Sequence, residues 1–230
     1  MRKVNVEKMV AFMQSLESMG KQDQLFAVAE FLKENCAVVE RVGGTKRHKC
    51  QYFIGDETVY ALVQKPTSEE FEFTLLDKDI YDSFIADGMG SLCMVRRDFG
   101  SIYKVAINSK NGRYSVCPLH RLVFLHDGCD IKECQVDHIL NTKMINTREF
   151  LRACSGKENC QNRHSTLNQV ADTGEDCLKN LDVTDFRYNP VTDFSDSWYA
   201  IVLYKMAGLP SDVACDYNRG YQKRLSQQTA

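Results

Sequence analysis

The feature that most constrains this chain is the stretch 136–163, which reads V-D-H-I-L-N-T-K-M-I-N-T-R-E-F-L-R-A-C-S-G-K-E-N-C-Q-N-R. It opens with two adjacent polar residues, Asp137 and His138, and Asn159 lies 21 residues after the histidine. A carboxylate and an amide oxygen are hard ligands of the kind that magnesium accepts. A neutral histidine beside them can take a proton from water. The residue types therefore indicate a metal-dependent phosphodiesterase.

Local signals predict how these three residues could converge. Ser155 can cap a helix, and Glu158 three residues later completes a capping box. We predict a short strand that carries the Asp-His pair, a loop, a second strand over 150–154, and a helix from Ser155 to about His164. A hairpin packed on a helix would place its first strand beside that helix, and so bring together Asp137, His138 and Asn159.

The same stretch resembles the catalytic motif of HNH (His-Me finger) endonucleases, especially the homing type of phages and introns. Those proteins read V-D-H-I, then N-N-R-x-x-N-L-R, then an S/T-x-x-x-N helix start, and this chain follows the spacing without a gap. The resemblance implies a ββα-metal fold in which Asp137 and Asn159 hold magnesium or manganese and His138 is the general base. Asn146 and Arg148 match the first part of the middle block.

One position departs from the family pattern. The asparagine before L-R, which braces the catalytic loop in the family, is Phe150 here. The bracing is then either lost or taken over by Asn146.

The resemblance extends upstream to about Leu75. The family has an L-D-x-x-D-Y helix, a strand pair and then L-H-R, and here a helix is predicted from Leu75 toward Ala86. Strands are predicted over 92–96, 101–108 and 112–117, with a tight turn at Asn111-Gly112.

The L-H-R-L match places two further candidates on a helix. His120 could be a second catalytic histidine, although we favour an orienting or packing role, because the motif proper supplies a complete set. Arg121 is the better candidate for a phosphate clamp.

Basic residues are concentrated just before the motif. The net charge is −2, yet residues 91–125 hold six basic side chains and one acidic one. A small basic segment alone would be a solvated face, but beside a nuclease motif we favour contact with double-stranded DNA. The candidate DNA-binding residues are Arg96, Arg97, Lys104, Lys110, Arg113 and Arg121, with Arg148, Arg152 and Arg163 in the motif.

The chain has ten cysteines but no C-x-x-C pair. Cys129 with Cys134, and Cys154 with Cys160, could in principle ligate zinc, as paired cysteines do in some HNH relatives. Their spacings are weak zinc signals. We favour buried thiols over structural zinc.

The flanking regions have a different pattern. Helical spacing of apolar residues predicts one helix over 4–19 and a second that ends near Asn35. Strands are predicted over 37–42, 51–54, 58–63 and 71–76. The helical pair lacks a basic recognition face, so we favour core packing or partner docking over a DNA-binding helix-turn-helix.

The region after the motif begins with a polar segment. Beyond it we predict a strand over 198–202 and a helix from Ser211 to about Leu225. The W-Y-A-I sequence resembles the small DNA-reading modules, similar to the plant ethylene-response type, that many phage HNH proteins carry here. A module that only packs is the alternative.

The predicted fold is α+β, and we divide the chain into four parts. These are an N-terminal helical hairpin with a small β region (1–72), an HNH nuclease domain with a ββα-metal core (73–165), a linker (166–180) and a small strand-helix module that could bind DNA (181–230).

The sequence therefore predicts a metal-dependent DNA endonuclease, with homing as the favoured role. A restriction or phage-packaging nuclease would keep the same chemistry. A non-catalytic DNA-binding or regulatory protein on an HNH scaffold is the alternative from another class, supported by Phe150 and by the acidic flanks.

The expected partners and location follow from the same observations. A single HNH site cuts one strand per visit, so a double-strand cut would need a homodimer or a second event. The start lacks the apolar core of a signal peptide, and no apolar run could span a membrane. We therefore expect no membrane partner and a cytoplasmic location, in the host cell if a phage encodes the chain.

Overall fold

The computed structural model describes residues 5–42, 49–65, 68–86, 92–97, 100–108, 114–138, 143–161 and 198–209. Helices and mainly antiparallel sheets are mixed along this part of the chain, which confirms the α+β class. None of the helices in these ranges is both long and apolar enough to cross a membrane.

The chain begins with the predicted helical hairpin, formed by α1 (Val6–Leu16) and α2 (Lys21–Lys33). The side chain of Asn5 caps α1 by accepting a hydrogen bond from the backbone N–H of Lys8 at 3.1 Å. Each helix turns one apolar stripe inward, since its buried residues recur every three or four positions. The apolar ones among these residues belong to one core, which we call cluster one.

A five-stranded sheet follows, and its first four strands were predicted. They are β1 (Ala37–Val42), β2 (Lys49–Ile54), β3 (Thr58–Gln64) and β4 (Phe71–Asp77), all antiparallel. The fifth strand, β9 (Ile145–Asn146), comes from the motif stretch and pairs in parallel with β4. The boundary that we placed between residues 72 and 73 falls inside β4.

Both faces of this sheet are covered, as the alternation of side chains along its strands requires. Phe73 and Leu75 face cluster one, together with the helical hairpin. Leu76 faces the opposite side and a second apolar core, cluster two, which also contains residues of the motif stretch. The prediction that Leu75 and Leu76 begin a helix was therefore wrong, because each fills a different core as part of β4.

The remaining upstream elements lie close to the predicted positions. The helix α3 spans Lys78–Ala86, and a three-stranded antiparallel sheet holds β5 (Leu92–Arg97), β6 (Gly100–Asn108) and β7 (Tyr114–Pro118). The L-H-R-L stretch forms α4 (Leu119–His126). The expected turn at Asn111-Gly112 lies outside the described residues.

The motif stretch forms a strand pair and a helix. The strand β8 (Gln135–His138) pairs antiparallel with β10 (Leu151–Cys154), and a 3₁₀ helix (Arg148–Phe150) precedes β10. The helix α5 (Gly156–Gln161) follows at once. This is the predicted order of elements, although β10 begins one residue later than expected.

The strand predicted over 198–202 was wrong, because this stretch is a helix, α6 (Trp198–Met206). Eight of its nine residues are buried, and they belong to cluster one. A helix surrounded by apolar neighbours has no polar face, so its sequence shows no helical period and reads as a buried strand. The predicted linker (166–180) and the helix from Ser211 lie outside the described residues.

We predict that α6 contributes to stability as core rather than as a surface element. Ile201→Ala should lower the free energy of unfolding by about 2–5 kcal/mol, because it leaves a cavity at a side chain that is 1 % exposed. The control Val6→Ala, at an exposed residue, should change it by less than about 0.5 kcal/mol. Urea titration of both variants measures the difference, and equal effects would contradict the buried position of α6.

Candidate active site

The β8–β10 pair and α5 position the polar residues of the motif. In the antiparallel register Arg152 lies opposite Asp137, and Leu151 lies opposite His138. Val136 and Leu151 anchor the pair by packing into cluster two. Neighbouring residues of a strand leave it on opposite sides, so the side chains of Asp137 and His138 have different surroundings.

Asn159 lies on the same side of β8 as Asp137. Its Nδ2 donates a hydrogen bond to Oε1 of Gln135, which precedes Asp137 by two residues and so shares its side of the strand. The backbone N–H of Asn159 donates to the carbonyl of Ser155 at 3.0 Å, which fixes the first turn of α5. The helix thus brings the amide of Asn159 toward the carboxylate side of the strand.

Asp137 is 6 % exposed, and its charge is balanced by Arg152. Arg152 donates from Nε at 3.2 Å and from Nη2 at 3.0 Å, and both bonds fall on Oδ2. A buried carboxylate needs such a partner to remain ionised. The ion pair offsets the negative charge of Asp137, and Arg152 occupies one of its two oxygens.

His138 contacts a different set of residues, on the side of α4 and β9. Its Nε2 lies 3.1 Å from Oδ1 of Asn146, and its ring packs edge-to-face on His120 with 5.1 Å between the ring centroids. Burial lowers the pKa of His138 to about 4, and repulsion from Lys143 adds to this, while the bond from Asn146 opposes it. The ring is therefore neutral at pH 7 and able to accept a proton.

His120 is also neutral at pH 7. Burial lowers its pKa to about 3, and His138, Arg121 and Lys143 add to the shift. A histidine with so low a pKa is not an imidazolium near neutrality, and so it is not suited to act as a general acid. Its edge-to-face contact with His138 fits the orienting or packing role that we favoured.

Asn146 makes the contacts expected of a bracing residue. It is 1 % exposed, and its Nδ2 donates to the carbonyl of Lys143 at 3.0 Å and to Oγ1 of Thr74 at 2.9 Å. Phe150 is buried in cluster one instead, with Nζ of Lys205 on α6 5.7 Å from the centroid of its ring. Of the two outcomes left open above, the geometry favours the transfer of the bracing to Asn146.

Arg148 is held by carboxylates from three elements. Its guanidinium forms paired bonds of 2.7–2.9 Å with Asp79 at the start of α3 and with Asp127 after α4. Its backbone N–H donates to Asp77 at the end of β4 at 3.0 Å. These contacts raise the pKa of Arg148 far above its usual range and lower the pKa values of Asp79 and Asp127. Arg148 therefore joins the motif to its surroundings, and we leave it out of the DNA surface.

Most of the other predicted DNA-binding residues are only partly described. Nη2 of Arg121 donates to the carbonyl of Ile131 at 3.2 Å. The backbones of Arg96 and Arg97 lie in β5 and that of Lys104 in β6, but their side chains fall outside the described part. Three further candidates lie wholly outside it: Lys110, Arg113 and Arg163.

The cysteines considered for zinc lie around the motif. Cys129 is exposed, Cys134 is half-buried, Cys154 is buried, and the side chain of Cys160 is outside the described part. Within the described ranges, no three or more His, Cys, Asp or Glu side chains come together as a metal-binding group.

Sequence reasoning missed two residues of the site. Lys143 lies close enough to influence the pKa of both histidines, and its basic side chain five residues after His138 could have been noticed. Thr74 lies 72 residues from Asn146 along the chain. Its only signal is a hydroxyl inside an otherwise apolar run of β4.

Comparisons with known proteins found no match, so a functional proposal for this chain depends on its own residues. No family model, no curated protein and no solved structure matches this chain.

We predict that His138 titrates near pH 4 in the folded protein, against its ordinary value of 6.5. Since the unfolded chain then binds the proton more readily, the stability contributed by the neutral ring is complete above pH 6.5 and is lost as the pH falls toward 4. NMR titration of the ring carbon signals measures the midpoint. A midpoint near 6.5 would contradict the neutral state proposed for this half-buried ring.

Proposed function

We propose that this protein is a metal-dependent endonuclease that hydrolyses phosphodiester bonds of double-stranded DNA, with homing in a phage or intron setting as its role. The observation that carries the proposal is the placement of His138 at the end of β8, where Asn146 holds its ring through a hydrogen bond. The strand pair β8–β10 and the helix α5 supply the order of a ββα-metal core. Asp137 and Asn159 supply its hard oxygen ligands.

The donor set fits magnesium or manganese. Asp137 contributes a carboxylate that is paired with Arg152. Asn159 contributes an amide oxygen, because its Nδ2 is directed to Gln135. Two protein ligands leave room for water and phosphate oxygens, as is usual for magnesium. When bound, such an ion stabilises negative charge on the phosphate and on the leaving oxygen.

The chemical step depends on His138 as the general base. Its neutral ring takes a proton from a water molecule, and the water oxygen forms a bond to phosphorus while the bond from phosphorus to the 3′ oxygen breaks. The departing 3′ oxygen takes a proton from solvent. Asn146 and His120 hold the ring in place while this happens.

DNA would reach this site across the basic approach that precedes the motif. The segment over 91–125 supplies the positive charge, and Lys143 adds a cation beside the histidines. One such site has a single base and so cuts one strand per visit. Cleavage of both strands would require a second copy of the chain or a second event.

A non-catalytic DNA-binding protein on the same scaffold is the second candidate. The Asp137–Arg152 ion pair favours it, because an arginine already occupies part of the place where a metal ion would bind. A restriction or packaging nuclease would share the chemistry of our proposal and differ only in the choice of target.

We predict that His138→Ala lowers the rate of strand cleavage by ~10²–10⁴-fold, the usual contribution of a general base, and leaves DNA affinity nearly unchanged. The assay follows the conversion of supercoiled plasmid to open-circular product in the presence of magnesium, and a gel-shift titration measures affinity. The control His126→Ala removes an exposed histidine that contacts Asp127 and Arg148 rather than His138, and it should cleave like the wild type.

The outcomes separate the two candidates. Open-circular product supports a nicking enzyme, and linear product supports a pair of sites. Full cleavage by His138→Ala would remove the proposed mechanism, and unchanged supercoil with the wild type in magnesium would favour the non-catalytic candidate.

A further inference from the structure

A buried hydroxyl on β4 is part of the hydrogen-bond chain that ends at His138. Thr74 is 0 % exposed and lies next to the point where β9 joins the N-terminal sheet. Its Oγ1 donates to the carbonyl of Met144 at 2.8 Å, and that carbonyl also accepts from the backbone N–H of Leu75. The single hydroxyl proton of Thr74 is thereby directed to Met144, so its oxygen is an acceptor for other donors.

This hydroxyl and the carbonyl of Lys143 together fix the amide of Asn146. Nδ2 of Asn146 faces two acceptors, Oγ1 of Thr74 at 2.9 Å and the carbonyl of Lys143 at 3.0 Å. If the amide were reversed, Oδ1 of Asn146 would face the carbonyl of Lys143 and Oγ1 of Thr74. The two oxygens that now accept from Nδ2 would then lie against a third acceptor instead of a donor. Only one orientation therefore satisfies all the groups, and it presents Oδ1 to His138.

The amide orientation in turn fixes the tautomer of His138. Oδ1 of Asn146 can only accept a hydrogen bond, so Nε2 of His138, 3.1 Å away, must carry the ring proton. A neutral imidazole has one ring proton. The lone pair that accepts a proton from water then belongs to Nδ1.

We propose that Thr74 is a positioning residue for His138, because it orients the amide of Asn146 and so holds the ring in the Nε2-protonated tautomer. The consequence for catalysis depends on the proposed function, in which His138 is the general base. The strand β4 thus supplies more than a platform, since its one hydroxyl group, together with the carbonyl of Lys143, favours the nitrogen of His138 that can act.

The test compares three variants at Thr74 and at a matched position. Thr74→Val keeps the shape and removes the hydroxyl, whereas Thr74→Ser keeps the hydroxyl. Thr58→Val places the same change at a buried threonine of β3 in the same sheet, away from His138. The readout is the ¹⁵N NMR spectrum of the His138 ring at neutral pH, where a protonated nitrogen and a bare one have well-separated shifts.

We expect the wild type, Thr74→Ser and Thr58→Val to show the Nε2-protonated ring, and Thr74→Val to show a mixture of the two tautomers. Cleavage by Thr74→Val should fall by ~10–100-fold at unchanged DNA affinity, as is typical when the partner of a site residue is lost. Thr74→Ser should restore it.

Two results would overturn the inference. One is an Nδ1-protonated His138 in the wild type, which needs no variant to detect. The other is an unchanged tautomer in folded Thr74→Val. Absence of cleavage by the wild type, together with the expected tautomer shift, would remove the nuclease proposal and leave the positioning role of Thr74 in place.

Discussion

The parallel pairing of β4 with β9 is the contact on which the candidate site depends. β9 has only two residues, yet it attaches the motif stretch to the edge of the N-terminal sheet. The bond from the N–H of Leu75 to the carbonyl of Met144, at 2.9 Å, fixes where the two strands meet. Asn146 can then reach both Thr74 and His138. The pairing therefore places the amide that contacts His138.

Arg148 and Phe150 secure the same stretch from two further sides. Arg148 ties it to the carboxylates at the ends of β4, α3 and α4. Phe150 is buried in cluster one, and Glu149 beside it forms an ion pair with Lys205 of α6. Phe150 is thus an apolar anchor, and the side-chain contact with His138 comes from Asn146, four positions earlier.

Much of the fold could be predicted because local signals agreed with it. The helical hairpin has apolar stripes at helical spacing, and the strands β1 to β4 have β-type composition with turn residues between them. The apolar run at Trp198 contains no period, so its helical form depends on the surrounding core. The strand pair and the helix that carry Asp137, His138 and Asn159 also followed from the sequence, whereas the convergence of the three side chains stays a prediction.

The partners of the site residues could not be predicted, because they come from distant parts of the chain. From the sequence, Arg148 was a candidate phosphate ligand. In the structure it bonds to three carboxylates that lie 21 to 71 residues from it along the chain. From the sequence, Asp137 was a candidate metal ligand. The strand register places Arg152 opposite it, which the sequence did not indicate. Sequence identifies residues that can do chemistry, whereas the register and the tertiary pairing decide which of them already have partners.

The most direct test of the account is whether a divalent cation binds beside Asp137, because it requires no knowledge of the target DNA. Manganese is paramagnetic and broadens nearby NMR signals, so it can be titrated into ¹⁵N-labelled protein in the absence of DNA. We expect selective broadening of the side-chain amides of Asn159 and Gln135, which Asp137→Ala abolishes. Uniformly unaffected amides at these two residues would contradict the metal site and leave Asp137 as an ion-pair partner of Arg152.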